Sequence, residues 1–332
     1  MVPTTLATPL HGDADAGDHA GSPLPAERHG LPLNPAKPVI HGPHWKWLII
    51  VYFWFGGIAA GSLAIASLAA INGDARIARA GRYVAVAALL PCPPLLILDL
   101  GRPERFWRMV THFNPRSPMS FGSWGLLLFS GPCALSALHQ AATDGVPLPP
   151  IAGRLPDRLL AGASLPPALL LGGYTGILLG ATAVPLWARM SNLLGPLFLA
   201  SAMSSGAAAT TLLDELAFGS DEGVRDRLDR IEATSGAAEL ALLGLAMARD
   251  SEVGRTLTAT PRDRLLLATI VAGVIGPRIM HAVIGRGARR APANVVAPVL
   301  TLVGGFALRT LMVLAGRDSA DDPEATFRFT RR

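Results

Sequence analysis

The stretch HWKWLIIVYFWFGGIAAGSLAIASLAAI, His44 to Ile71, decides the fold. It opens with His44, Trp45, Lys46 and Trp47, the aromatic and basic mixture that settles at lipid headgroups, and then runs to Ile71 without a charge. About 20 apolar residues are needed to cross the hydrocarbon as a helix, where every backbone polar group must be satisfied inside the segment. The run from Trp45 to Ile71 meets that length. Its GGIAAGS segment, Gly56 to Ser62, sets small residues at helical spacing and so prepares the close approach of a neighbouring helix.

The rest of the chain agrees with this segment. Its 332 residues are 50% hydrophobic and only 16% charged, with a mean hydropathy of +0.39, whereas soluble domains carry roughly 25% charge. Lipid is therefore the expected solvent. The net charge of +5 is spread as arginine over the connections. No concentrated basic patch of the kind nucleic acid requires stands out, so no nucleic-acid partner is expected. The two cysteines, Cys92 and Cys133, lie inside apolar runs. They are too few for an iron–sulfur cluster, which usually takes four thiolates, or for a disulfide framework.

Eight segments read as spans. After Trp45–Ile71 comes Gly81–Leu100, which Pro91, Pro93 and Pro94 must kink or break. Phe121–His139 is third. Leu159–Ala181, with Pro166 and Pro167, is fourth, and Leu193–Leu213 is fifth, with a small polar face of Ser201, Ser204, Ser205, Thr210 and Thr211. Asp221–Glu232 reads as a short helix at the surface, because Val224, Leu228 and Ile231 repeat at helical spacing. Ala233–Ala248, interrupted by Glu239, is the weakest span; Leu265–Ile284 and Asn294–Ala315 complete the set. The fold class is thus an all-α integral membrane bundle of about eight transmembrane helices, residues 44–316. A disordered polar N-terminal tail, 1–43, precedes it without an early hydrophobic leader, and a polar C-terminal tail, 317–332, follows.

Between the second and third spans lies the densest polar island, DLGRPERFWRMVTHFNPRSPMSFGSW, Asp99 to Trp124. Arg102, Arg105, Arg108 and Arg116 alternate there with Phe106, Trp107, Phe113 and Trp124. Guanidinium groups so placed suit lipid phosphate or a docked acidic partner. With eight crossings, the Trp45 anchor, this island and the end of the fourth span share one membrane face. The arginines divide almost evenly between the two faces and do not orient the protein.

Taken in order, GGIAAG, DLGRPERFWRM, NPRSPMSFGSW and GGYTGILLGATAVPLW resemble the NrfD and polysulfide-reductase membrane-subunit family, over His44 to about Arg317. The resemblance implies an integral subunit without haem or cluster. Such a subunit exchanges electrons between membrane quinone, menaquinone or ubiquinone, and a peripheral four-cluster ferredoxin-like iron–sulfur subunit. That partner in turn serves a catalytic molybdopterin or multihaem cytochrome subunit in the cytoplasmic (inner) membrane of the cell. It also implies a quinone pocket built from the start of the first span and the end of the fourth. Tyr174 falls where the polysulfide-reductase type has a quinone-contacting tyrosine. Ile49 and Tyr52 stand where that type has an asparagine and a histidine.

The candidates then sort by chemistry. A quinone needs a flat apolar slot, a donor at each carbonyl and a proton source. Tyr174, Tyr52 and, at the mouth of the first span, His44 are the pocket residues, each to be weighed against an aromatic-belt or helix-end role. Asp99 is either a proton-transfer group or an ion-pair partner of Arg102 or Arg105. Arg102, Arg105, Arg108 and Arg116 would dock the partner. Glu239, Arg278, His281 and Arg309 either line a proton path or snorkel from helix ends to water, and snorkelling is the favoured reading. No metal site is expected. Two other classes compete with the quinone reading: a secondary transporter, suggested by proline- and glycine-broken second and fourth spans, and a structural membrane anchor without an active quinone site.

Overall fold

The computed structural model describes residues 47–100, 104, 106–114, 117–148, 155–219, 221–284 and 290–321. The expected N-terminal tail, 1–43, lies outside them, whereas the first five residues of the expected C-terminal tail, 317–321, continue the last helix. Among the described residues seven helices are long and apolar enough to cross a membrane. The first, α1 (Trp47–Ile71), ends where Gly73, at φ +82°, turns the chain and Asp74 caps α2 (Ala75–Leu89) by accepting from the Ile77 amide. As the prolines dictate, the second crossing breaks at Leu90 and Pro91 and resumes as α3 (Cys92–Asp99), with Pro93 and Pro94 in its first turn, where their missing amides cost nothing. A short α4 (Trp107–Thr111) lies in the polar island. Ser117 then caps α5 (Pro118–Thr143), the third crossing.

The fourth crossing, α6 (Asp157–Gly180), carries Pro166 and Pro167 without a break, so it does not supply the broken helix on which the transporter reading leaned. It is followed by α7 (Pro185–Arg189) and by the fifth crossing, α8 (Ser191–Leu213), which tails into a π turn, Asp214–Phe218. The sixth corrects the sequence reading. Asp221 caps one uninterrupted 28-residue helix, α9 (Glu222–Arg249), instead of a surface helix followed by a short span. The amphipathic period of its first turns arises because that end packs against the bundle through Val224 and Leu228. After α10 (Ser251–Thr258), residues Arg262–Ile284 are helical throughout but in three pieces, α11 (Arg262–Ile270), a π turn, and α12 (Gly276–Ile284). At 1.5 Å per residue that run is roughly 34 Å long, enough for a further crossing. The last helix is α13 (Arg290–Asp321).

Helix α1 sits at the centre, packed against α2, α6 and α8. Its small residues do what their spacing implied: a Cβ at Gly61 would lie 1.9 Å from the Ala202 carbonyl oxygen of α8. The first and last crossings also meet, where the Trp54 indole donates to the Leu302 carbonyl at 3.0 Å.

Ion pairs gather at the two ends of the bundle and fix the directions of the helices. At one end Arg76 pairs with Asp214, Arg79 with Asp144, Arg82 with Asp157, Arg227 with Asp74 and Arg225 with Glu215. These join the connections after the first, third and fifth crossings. At the other end Arg189 pairs with Asp250 at 2.6 Å and Arg262 with Asp318 at 2.6 Å. These join the connections after the fourth and sixth crossings to the end of α13. The first set marks the far end; the second marks the end that also holds the start of α1.

Candidate functional site

At that second end four elements come together. The first turns of α1 supply Ile49, Tyr52 and Phe53; the last turn of α3 supplies Leu96; the first turns of α5 supply Met119, Gly122 and Ser123; the end of α6 supplies Tyr174, Thr175 and Leu178. They enclose a cavity of about 40 Å³. Tyr52 and Tyr174 are 5% and 9% exposed, so both phenols are held inside an almost wholly apolar lining. The tyrosine of α6 fits against α5 only because position 122 is glycine: a Cβ there would stand 2.8 Å from Cε1 and 3.1 Å from the hydroxyl oxygen of Tyr174.

A second cavity, of about 160 Å³, adjoins the first and shares Leu96 and Ser123 with it. Its remaining wall is Pro93, Ile97, Leu100, Phe106, Leu126, Leu127 and Ser130. Leu127 is 45% exposed on the outer face of α5, which in a bilayer faces acyl chains. The inner chamber alone has room for no more than a few waters. A ring-sized ligand needs more room than this, which merging the two chambers at the shared residues Leu96 and Ser123 would supply.

The sequence-derived residues divide accordingly. Tyr52 and Tyr174 meet in one cavity, with Ile49 beside them. Asp99 closes α3, half buried, three residues past Leu96. Arg108 is exposed on α4, its guanidinium 5.5 Å from the centre of the Trp107 ring. His44, Arg102, Arg105 and Arg116 lie outside the described residues, as does the side chain of His281. Leu96, Met119 and Gly122 were not singled out in the sequence. Met119 and Gly122 lie in the motif NPRSPMSFGSW, but its place opposite Tyr174 depends on how α5 packs on α6; nothing in the sequence marks Leu96. A larger cleft of about 330 Å³ opens at the same end between α7, α10 and α13. Its arginines are matched by acids, Arg189 with Asp250, Arg255 with Glu252 and Arg262 with Asp318, so it offers no surplus charge to a small ligand.

The snorkelling read for Glu239 and Arg309 is overturned. They are 3% and 1% exposed, far from either end of their helices. Arg309 of α13 donates from Nε to the Phe53 carbonyl at 3.0 Å, and from Nη1 to Ser201 Oγ at 3.0 Å and the Gly305 carbonyl at 2.8 Å. Glu239 hydrogen-bonds the same Ser201 and lies in the field of Arg309. An unpaired charge at this depth is costly, and the two groups offset each other's burial. Arg278 is exposed and donates to the Ala233 carbonyl of α9. Among the described residues no group of three or more His, Cys, Asp or Glu side chains could hold a metal.

Comparison with known proteins gives the geometry a context. A family model described as polysulphide reductase, NrfD matches residues 38–318. The sequence is 28% identical over 308 residues to the protein NrfD of Escherichia coli, covering 82% of this chain and 95% of that protein. It is 30% identical to a polysulfide reductase chain from Wolinella succinogenes, over 53% of this protein and 59% of that relative. To a selenate reductase subunit from Mesobacillus selenatarsenatis it is 25% identical, over 51% of this protein and 47% of that relative. It thus spans nearly the whole of the first relative and about half the length of the other two.

Proposed function

Because the chain belongs to the polysulphide reductase, NrfD family, as a multi-pass membrane protein, we propose that it is the quinone-reactive subunit of a respiratory oxidoreductase complex. In this reading it passes electrons between menaquinone or ubiquinone and a peripheral four-cluster ferredoxin-like iron–sulfur subunit, and anchors the complex in the cell membrane. A catalytic molybdopterin or multihaem cytochrome subunit would lie beyond that partner. Two relatives bear the names of parts of larger reductases, which supports membership of a complex.

One observation carries the reading: Tyr52 and Tyr174, from helices far apart in sequence, converge on one apolar cavity with a lipid-side antechamber. A quinone ring would occupy the merged chambers with its tail leaving past Leu127 toward lipid. The phenols would donate to its carbonyls, and the apolar walls would exclude bulk water from the ring. In this reading His44 would stand at the mouth of the pocket, and Asp99, three residues past Leu96, would exchange protons between the surface and the site. Arg108, with Arg102, Arg105 and Arg116, would meet the acidic surface of the partner. The site lies at the end of the bundle instead of its midplane, which favours electron exchange over transport.

The test is quinol-analogue binding to the detergent-solubilised protein, followed by fluorescence quenching. Saturable binding that weakens in Tyr174→Phe supports the site. Wild-type affinity in that variant removes Tyr174 from it, and absence of saturable binding to folded protein removes the function.

A further inference from the structure

The last crossing grips the first at two consecutive residues, Phe53 and Trp54, directly after Tyr52. Arg309 of α13 donates from Nε to the Phe53 carbonyl at 3.0 Å, and the Trp54 indole donates to the Leu302 carbonyl at 3.0 Å. Phe306, between these two in the chain, meets the Trp54 ring edge-on at 5.7 Å. Leu302, Phe306 and Arg309 follow one another at intervals of four and three residues, so they form one face of α13.

A helix carbonyl already serves the amide four residues on, and its second lone pair is reached only where the neighbouring side chain leaves room. In α1 that neighbour is Gly57, and a Cβ there would overlap Arg309 Nη2. The guanidinium is thus seated in a gap of the α1 surface that glycine provides. From Nη1 it also donates to Ser201 Oγ at 3.0 Å and to the Gly305 carbonyl at 2.8 Å, so it is tied to α1, to α8 and to its own helix. Glu239, which hydrogen-bonds the same Ser201, offsets its charge.

The link to the cavity is aromatic. The guanidinium carbon of Arg309 is 5.7 Å from the centre of the Phe198 ring of α8. Phe198 meets the Phe53 ring edge-on at 6.4 Å, and Phe53 meets the Tyr52 ring at 5.7 Å. All three rings are buried, and Phe53 and Tyr52 line the cavity. An apolar residue would join these helices at lower cost than a buried arginine, so the arginine calls for a use beyond cohesion.

We propose that Arg309 is a positioning residue of the site: by fixing the Phe53 carbonyl and the Phe53 and Phe198 ring pair, it sets the height and rotation of the first turns of α1, and so the place of the Tyr52 phenol relative to that of Tyr174. It touches no ligand. Loss of the guanidinium lets the turn rotate about the remaining Trp54 bond, and the two phenols lose their fixed separation. That these phenols hold a quinone rests on the function proposed above; the positioning itself does not.

The test reads Tyr52 directly. The chain holds three tyrosines, Tyr52, Tyr83 and Tyr174. The full-length protein labelled with 3-fluorotyrosine in lipid nanodiscs therefore gives three fluorine resonances, assigned with Tyr52→Phe, Tyr83→Phe and Tyr174→Phe. Arg309→Lys keeps a positive charge beside Glu239 and loses the planar fork that reaches Phe53, Ser201 and Gly305 together. The expected result is that the Tyr52 resonance shifts or broadens. That of Tyr83, whose hydroxyl is bonded to Asp144 at the far end, should stay in place and report an intact fold. Gly57→Ala, which pushes on the guanidinium and leaves every charge and every cavity residue in place, should act in the same direction and stands in if Arg309→Lys does not fold. Quinol-analogue binding, measured on the same samples, should weaken roughly 2- to 13-fold, the weight of one hydrogen bond. Tyr52→Phe should then cost less affinity in the Arg309→Lys background than in the wild type, since both changes spoil the same contact. A merely structural arginine would lower the unfolding temperature and leave the two losses additive. An unmoved Tyr52 resonance in a folded variant, or additive losses of affinity, overturns the proposal. If the wild type binds no analogue, the quinone function fails, and the fluorine shift alone still decides whether Arg309 places Tyr52.

Discussion

Arg79 Nε of α2 and Asp144 Oδ2, at the end of α5, are 2.8 Å apart. The same carboxylate accepts from the Tyr83 hydroxyl at 2.7 Å and from Gln140 at 3.0 Å. Burial alone would raise its pKa, but the three donors outweigh it and hold Asp144 below the ordinary value of 3.8. A depressed carboxyl stabilises the folded state above its unfolded pKa and loses that contribution as pH falls through the folded value. Thermal unfolding in detergent should therefore be insensitive to this group above about pH 5 and weaken below about pH 4. Asp144→Asn should flatten that acid limb and cost about 1 kcal/mol at neutral pH, since the arginine is partly in water.

The contact of α1 with α8 should tolerate no side-chain growth. A methyl group at Gly61 would meet the Ala202 carbonyl oxygen, a backbone atom that cannot rotate away. Gly61→Ala should cost about 1–3 kcal/mol or more and lower the unfolding temperature, while the same change at Gly56, with nothing within 4 Å, should be nearly silent. Differential scanning fluorimetry of the pair checks this.

Gly122→Ala should act on the site more than on the fold. Its methyl would press on the Tyr174 ring, a side chain that can turn, and so displace the phenol from the cavity. Loss of one hydrogen bond of about 0.5–1.5 kcal/mol corresponds to roughly 2- to 13-fold weaker quinol-analogue binding. An unchanged affinity in folded protein would show that the phenol's position is unimportant.

Arg108→Glu should loosen a cluster-bearing partner without affecting the bundle, because the side chain is exposed and, among the described residues, stacks on Trp107. Co-purification of an iron–sulfur protein, scored against wild type at matched salt, should fall in the variant. Equal recovery would move the docking face away from α4.

The spans were legible because hydrocarbon imposes a length and a composition that local sequence must satisfy. The break at Pro91 was legible for a similar reason, since a missing amide is a local fact. Where packing decided, the sequence misled. The charged first half of α9 resembled a surface helix because Arg225 and Glu232 were counted as solvated, whereas each is buried against a partner on another element. Arg309 was read as snorkelling because its acceptors, Phe53 and Ser201, lie more than a hundred residues away. At the site, the resemblance pointed to Tyr174 and Tyr52, and both line the cavity. Leu96 and Met119 carry no chemistry of their own, and only the assembled walls reveal them.

The Trp54 indole in the first crossing finds its acceptor at Leu302 in the last, 248 residues later. Arg309 likewise enters lipid with acceptors on α1 and α8 already in place. A ribosome therefore delivers an unfinished molecule until its final helix emerges. The first helix must wait in the bilayer with a donor unmet, open to a chaperone or a protease, and a message truncated before α13 yields a bundle with its central seam still unsealed.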